Sequence, residues 1–235
     1  MSESLIQLQP AFILQHRKYR ESSLILDVLT RDFGIISILA RGVRKSKSKT
    51  AGVLLAFNAL KLSYLNKNEL KILTHAEQSE GSIPLKGIPL YCGFYINELV
   101  SYLLHKNDPH PEVYIEYQEC LTLLACSHNT EQILRFFELN LIECIGYGYQ
   151  LSVDVKTENQ VVPLGRYSFN GEKGMIESSV GYISGATLLS LEERKDLNEQ
   201  ALYEAKQLMR RIIDFQLQGK VLKSRVILAK IIKQL

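Results

Sequence analysis

Residues 22–49 read Ser-Ser-Leu-Ile-Leu-Asp-Val-Leu-Thr-Arg-Asp-Phe-Gly-Ile-Ile-Ser-Ile-Leu-Ala-Arg-Gly-Val-Arg-Lys-Ser-Lys-Ser-Lys. Two apolar runs, Ser22–Thr30 and Ile35–Ala40, flank the turn signal Asp32-Phe33-Gly34 and predict a pair of strands. The apolar pattern then stops. Arg41–Lys49 packs five cations into nine residues with one apolar residue, Val43, so it reads as a loop. Gly42, the alternating serines and charge repulsion predict that this loop is mobile. No acid occurs among the 36 residues between Asp32 and Glu69, a stretch that also holds Lys61 and Lys67. Flexible cations with nothing nearby to neutralise them suit a polyanion, whose counterions are released on binding.

Outward from this stretch, three more short runs have strand character: Pro10–His16, Phe57–Leu65 and Leu70–His75. Asn66-Lys67-Asn68 separates the last two. Five short strands in about 75 residues match a small barrel such as the OB-fold. Fragments of an antiparallel sandwich give a similar count. After Gly81 the periodicity becomes helical, and Ser82–Pro89, with two prolines and one glycine, reads as a boundary. The expected organisation is therefore α+β with two domains: a barrel over residues 1–80 and a mainly helical domain over residues 81–235. Helices are expected at Leu90–His105 (apolar nearly all round and therefore buried), at Glu112–Cys126 behind Pro111, and at Glu131–Ile145. Asn129 and Gln132 resemble a capping box for the third of these. Gly146-Tyr147-Gly148 ends it. The polar stretch 149–183 holds a hairpin, Arg166–Phe169 and Gly174–Glu177 around Asn170-Gly171. Ser190 and Glu193 suggest a second capping box, opening a long helix to about Leu217. Leu222–Leu235 reads as a basic amphipathic helix.

Composition narrows the class. The 235 residues are 46% hydrophobic and 23% charged, as in ordinary globular proteins. The longest run without a charged residue, Ser178–Leu191, falls short of the roughly 20 apolar residues of a membrane span. With Glu3 early and no basic segment ahead of an apolar core, no signal peptide is expected, and the chain is read as cytoplasmic. Cys92, Cys120, Cys126 and Cys144 are irregularly spaced and show no Cys-x-x-Cys pair, so they are read as reduced residues packed in helices. The net charge of +3 hides an asymmetry: residues 1–80 balance to +5, residues 81–205 to −9 and residues 206–235 to +7. Two basic ends thus flank an acidic middle, and the N-terminal excess is concentrated in Arg41–Lys49.

Catalytic signatures are missing. There is no phosphate-binding Gly-x-x-x-x-Gly-Lys-Ser/Thr, no Gly-x-Gly-x-x-Gly turn and no Gly-x-Ser-x-Gly elbow. None of the five histidines forms a His-x-x-x-His or His-Glu-x-x-His pair. His105 and His110 flank Asp108, but Pro109 and Pro111 make that segment a loop between helices. Acidic pairs such as Glu192-Glu193 are expected on solvent-facing sides of helices. A binding protein is the expectation, not an enzyme.

The ordered set of short blocks resembles a family. Tyr19-Arg20-Glu21-Ser22-Ser23-Leu24, Leu29-Thr30-Arg31-Asp32-Phe33-Gly34 and Ala40-Arg41-Gly42-Val43-Arg44 resemble the start of RecO proteins. So do Gly87-Ile88-Pro89-Leu90-Tyr91-Cys92-Gly93, Tyr95-Ile96-Asn97-Glu98-Leu99, Arg135-Phe136-Phe137-Glu138-Leu139 with Gly146-Tyr147-Gly148, and Gly219-Lys220-Val221-Leu222-Lys223-Ser224-Arg225. The resemblance implies a bacterial DNA-repair protein with an N-terminal OB-fold and a helical C-terminal domain. Such proteins bind single- and double-stranded DNA and anneal complementary strands. They contact the acidic, hydrophobic tail of the single-stranded-DNA-binding protein, and with RecR they help load RecA. Some members carry a four-cysteine zinc site after the Gly-Tyr-Gly segment. Here residues 149–183 contain no cysteine, so neither metal nor cofactor is expected and the hairpin must hold itself by packing.

The expected DNA ligands are Arg41, Arg44, Lys45, Lys47 and Lys49, with Arg17, Lys18 and Arg20 extending the same face. Tyr19, Phe33, Phe57 and Tyr64 are candidates for stacking on bases. Arg135, beside Phe136, Phe137 and Leu139, lies in the block that matches the family's tail-binding region. Lys220, Lys223 and Arg225 form a second basic group, suited to duplex DNA, to RecR or to the acidic middle of the same chain. A generic RNA-binding OB protein is the alternative.

Overall fold

The structure, a computed structural model, describes residues 4–46, 48, 50–79, 84–127, 129–171 and 173–232. Five strands come first: β1 (Ser4–Tyr19), β2 (Ser23–Thr30), β3 (Gly34–Ala40), β4 (Leu60–Asn66) and β5 (Leu70–Gln78). They close into a barrel in the order β1-β2-β3-β5-β4, with β3 parallel to β5 and the other neighbours antiparallel. This is the OB arrangement, not a piece of a sandwich. β1 makes closure possible because it serves two neighbours: Ala11 lies opposite both Leu60 of β4 and Thr30 of β2. The strand outruns the apolar segment Pro10–His16 because ladder pairing uses the backbone. Arg17, Lys18 and Tyr19 pair with Ile25, Leu24 and Ser23 although their side chains face outward.

The alternation of the strands fills the barrel. Ile13, Leu26, Val28, Ile36, Ile38, Leu60, Leu62 and Tyr64 are all buried in one cluster. Phe12, Ile25, Leu29 and Ile35, on the opposite face, are buried as well. Strands covered on both sides read as unbroken apolar runs, which is why β2 and β3 look so hydrophobic. The cover for β1 and β2 comes from helices α1 (Ile88–Leu103) and α2 (Pro111–Cys126). The Phe12 ring lies 5.3 Å from Tyr114 and 5.0 Å from Tyr117. The buried amide of Asn97 on α1 donates to the Leu14 carbonyl at 2.8 Å and accepts from the Tyr117 hydroxyl. Pro111 occupies the first turn of α2, as its sequence position predicted. α1 is not buried all round: Phe94 is 47% exposed. Gly34 is required in the β2–β3 turn. Its φ is +65°, and a Cβ there would sit 2.0 Å from the Asp108 carbonyl oxygen.

Met1–Ser127 together with Leu222–Leu235 form one compact unit, and His128–Val221 form a second. The second contains α3 (Thr130–Cys144), a three-stranded sheet of β6 (Arg166–Asn170), β7 (Gly174–Glu177) and β8 (Ile183–Ser184), and helices α4 (Gly185–Glu192) and α5 (Glu199–Leu217). Asn129 caps α3 by accepting from the Gln132 N–H. The box is half formed, because the Gln132 side chain turns to Asp196 and the Leu197 N–H instead. α3 ends in a Schellman motif: Gly146 has φ +84°, its N–H donates to Glu143, and the Tyr147 N–H donates to Ile142. The β6–β7 hairpin forms where expected, with Asn170 opposite Gly174.

The long helix expected from Ser190 is two helices. Ser190 lies inside α4, which Ser184 caps, and Asn198 caps α5 by accepting from the Ala201 N–H at 2.9 Å. The break falls at Arg194, whose backbone is left-handed (φ +55°) and whose guanidinium donates to the Leu191 and Glu192 carbonyls. Glu192 also departs from expectation. It is half-buried and accepts from the Leu151 N–H at 3.0 Å, while Glu193 stays exposed.

Residues 149–183 are held by hydrogen bonds to two buried carboxylates as much as by packing. Asp154 accepts from the N–H groups of Lys156 (2.7 Å), Thr157 (3.0 Å) and Glu177 (2.7 Å), tying its loop to β7. Burial raises its pKa, and these bonds outweigh that and leave it below the usual carboxylate value. Glu204 of α5 accepts from Arg166, Gln200, Thr187 and both the N–H and hydroxyl of Ser184. Burial again pulls upward, and the bonds lower this carboxyl to about 2. Among the described residues no three or more His, Cys, Asp or Glu side chains are grouped to hold a metal ion, and no helix is long and apolar enough to cross a membrane.

Candidate nucleic-acid interface

The interface follows from strand direction. β1 and β3 end, and β2 begins, at the same edge of the barrel: Tyr19 lies opposite Ser23, and Leu24 lies opposite Ala40. The β1–β2 turn and the basic loop therefore emerge side by side. This brings Arg17, Lys18 and Arg20 to the same rim as Arg41, Arg44 and Lys45, and all six are exposed. An open cleft of about 1000 Å³ lies there, lined by Tyr19, Arg20, Ser22, Arg41 and Lys45 among others. Lys47 and Lys49 lie outside the described residues.

Two of the barrel's acids are committed away from this rim. Asp27 accepts from Lys106 (3.0 Å), Ser37 (2.6 Å) and Gln15 (2.9 Å), and Asp32 pairs with Arg31 at 2.9 Å. Burial raises the Asp27 carboxyl, but the Ser37 and Lys106 bonds outweigh it. The Arg31 hydrogen bond holds Asp32 low. Glu21 is the one acid lining the cleft. Among the described residues no ion pair reaches Arg17, Lys18, Arg20, Arg41, Arg44 or Lys45.

The first half of the basic loop is pinned, contrary to the mobility expected of it. Val43 is 4% exposed and sits in the barrel core with Leu54. The Arg44 N–H donates to the Ser22 carbonyl at 2.9 Å, and its guanidinium donates to the Arg20 carbonyl at 3.2 Å. A run that cannot make a core strand still supplies a core residue.

The four candidate aromatics separate. Tyr64 is 1% exposed inside the barrel, where burial, with the charge of Asp32, pushes its hydroxyl up to about 12. It cannot reach a base. Phe33 packs edge-on against Tyr64, and Phe57 packs edge-on against Phe94 with centroids 5.0 Å apart. Tyr19 lines the cleft, with the Arg20 guanidinium 5.3 Å from its ring centroid.

The other candidate cations are placed differently. Arg135 is 8% exposed and ion-paired to Glu138 at 2.5 Å, one helical turn away on α3, so its charge faces inward. Its Nε has no partner among the described residues. Lys220 is exposed in the second unit. Lys223 and Arg225 open α6 (Lys223–Ile232) in the first unit, where Arg225 lies 5.8 Å from the buried Tyr95 ring. Glu98 of α1 caps this helix, accepting from the Lys223 N–H (3.0 Å) and from the N–H (2.8 Å) and hydroxyl of Ser224. Sequence reading missed Glu98. The signal was there, since Leu222 before the helix has no side-chain oxygen to cap it.

A closed five-strand barrel with an unneutralised basic rim, followed by helices, places the chain among OB-fold proteins. Within that class two family models match it: Recombination protein O N terminal over residues 1–81 and Recombination protein O C terminal over residues 86–225. The chain is 40% identical over 224 residues to the DNA repair protein RecO of Methylococcus capsulatus, covering 94% of this chain and 93% of that one. It is 38% identical over 228 residues to the protein of that name from Nitrosospira multiformis, covering 94% of each. With that of Aliivibrio salmonicida it shares 37% over 222 residues, covering 93% of each. The chain belongs to the RecO family of DNA repair proteins.

Proposed function

We propose that the chain is a recombination mediator that binds single- and double-stranded DNA along the barrel rim. In this reading it anneals complementary strands coated with single-stranded-DNA-binding protein and, with RecR, helps load RecA. The observation that carries the reading is the set of rim cations that have no ion-pair partner among the described residues. Arg17, Lys18, Arg20, Arg41 and Lys45 neutralise phosphates, and Arg44, Lys47 and Lys49 belong to the same basic segment. Five phosphate contacts on a single strand give a slope of log affinity against log salt of about −3.5, or on the order of a 100-fold loss between 50 and 200 mM. Contacts to phosphate position a strand without reading its sequence. Annealing follows, because the cations screen two backbones at once and leave base edges free to pair.

Arg135 on α3, whose Nε has no partner among the described residues, is proposed to exchange its pair with Glu138 for the acidic tail of the coating protein. Lys220, Lys223 and Arg225 are proposed as contacts for RecR or duplex DNA. The protein acts by binding, without bond chemistry or a metal, in the cytoplasm. The test is annealing of two complementary oligonucleotides precoated with the cognate single-stranded-DNA-binding protein, run in EDTA. Acceleration that requires the coating protein's acidic tail is the expected result. No acceleration, from protein that still binds bare DNA, refutes the mediator role. A preference for RNA over single-stranded DNA points to the alternative of a general RNA-binding factor.

A further inference from the structure

We infer that the rim contains a slot for one unpaired nucleobase, with Tyr19 as its platform, and that Arg44 positions this platform instead of binding phosphate. The inference rests on the DNA-binding reading above and narrows it. Of the four barrel-region aromatics, three are engaged in packing, and Tyr19 is the one in the open cleft. Among the described residues its hydroxyl has no hydrogen bond.

A second tyrosine–arginine contact shows what a closed version looks like. Arg211 lies 3.8 Å from the Tyr182 ring centroid, and the Tyr182 hydroxyl accepts from the Phe169 N–H at 3.2 Å, so that ring is fixed at both ends. Arg20 stands farther from Tyr19, at 5.3 Å, and is exposed. It is free to exchange the ring for a phosphate. Consecutive residues thus offer a π-face for a base and a cation for that nucleotide's phosphate, a combination suited to single strands and tolerant of sequence. Bases in a duplex are stacked on both faces and cannot use the slot.

The turn that presents Tyr19 is strained. Arg20 has φ +50°, a left-handed conformation unfavourable for a side chain of this kind. Arg44 braces it from both sides, with its guanidinium on the Arg20 carbonyl and its N–H on the Ser22 carbonyl, while Val43 beside it is anchored in the barrel core. A guanidinium used in this way sets the orientation of the platform.

The chain contains no tryptophan, so Tyr19→Trp introduces a single tryptophan that can be excited apart from the tyrosines and keeps an aromatic face. The experiment follows its emission and, in parallel, the anisotropy of a labelled oligo-dT or blunt duplex. Expected are quenching by the single strand and none by the duplex, with Tyr19→Leu weakening single-strand binding about tenfold at an unchanged salt slope. Adding Arg44→Gln to Tyr19→Trp abolishes the quenching and leaves the salt slope in place. Thermal melts of each variant confirm folding. Single-strand binding with unchanged emission overturns the slot and leaves the phosphate reading standing. A slope about 0.7 shallower in Arg44→Gln, with quenching retained and Arg44→Lys restoring the slope, overturns the positioning role. No binding of DNA by the native chain refutes both readings.

Discussion

Arginines do opposite work in the two units. In the second unit Arg135 faces Glu138, Arg166 faces Glu204, Arg194 faces Glu143, and Arg211 lies on Tyr182. Each guanidinium has a partner within that unit. On the barrel rim Arg17, Arg20 and Arg41 have no carboxylate partner among the described residues, and the barrel's Asp27 and Asp32 are engaged away from it. A cation paired internally supports stability, whereas one left unpaired at a surface raises the local potential and is available to a polyanion. Net charge does not show this difference. The placement of carboxylates does.

The largest effect on this contrast is expected at Glu204. Glu204→Ala leaves Arg166, Ser184 and Thr187 without their acceptor and costs about 3 kcal/mol, read as a lower urea midpoint. Single-strand binding at temperatures where the variant is folded stays at the native level. Acid tests the same node. The Glu204 carboxyl is at about 2 in the folded chain against 4.5 for an ordinary glutamate. A depressed folded value means the stabilisation is fully present above about 4.5 and is lost as pH falls toward about 2. Urea titrations across that window should show native stability falling, and Glu204→Gln should flatten the slope.

The rim is expected to behave the other way round. Arg17→Gln with Lys18→Gln and Arg41→Gln weakens single-strand binding about 50-fold near 150 mM salt. The melting temperature hardly moves, because surface substitutions away from special features stay within about 0.5 kcal/mol. If the triple variant melts far lower, the rim cations are structural and the contrast fails. The smallest effect belongs to an exposed pair. Lys206, 2.7 Å from Glu131 and half-exposed, becomes alanine at a cost of at most about 0.5 kcal/mol, seen as overlapping urea curves.

The barrel was legible because β2 and β3 carry unbroken apolar runs and their turn carries a glycine that only this backbone needs. The basic loop was legible as a charge run, but its anchoring was not, since Val43 alone among polar neighbours gives no periodic signal. The juxtaposition of Arg17, Lys18 and Arg20 with Arg41 was expected as a shared face, and the strand register supplies the reason. What stayed hidden were the long-range acceptors. Glu98 caps a helix 125 residues away, and Glu204 collects donors from three sequence-distant positions and one turn of its own helix. No local pattern encodes such pairs. The break at Arg194 was missed for a related reason: Ser190 and Glu193 have cap spacing, yet the carbonyls that end α4 are satisfied by the side chain of Arg194.

The most direct measurement is the salt dependence of single-strand binding for three proteins: the native chain, the rim triple variant, and a charge-matched control with Arg194, Lys195 and Lys206 changed to glutamine. A slope of about −3.5 is expected for the native chain and the control, and about −1.4 for the rim variant. A rim variant that keeps the native slope, or a control that loses as much, overturns the placement of the DNA contacts on the rim.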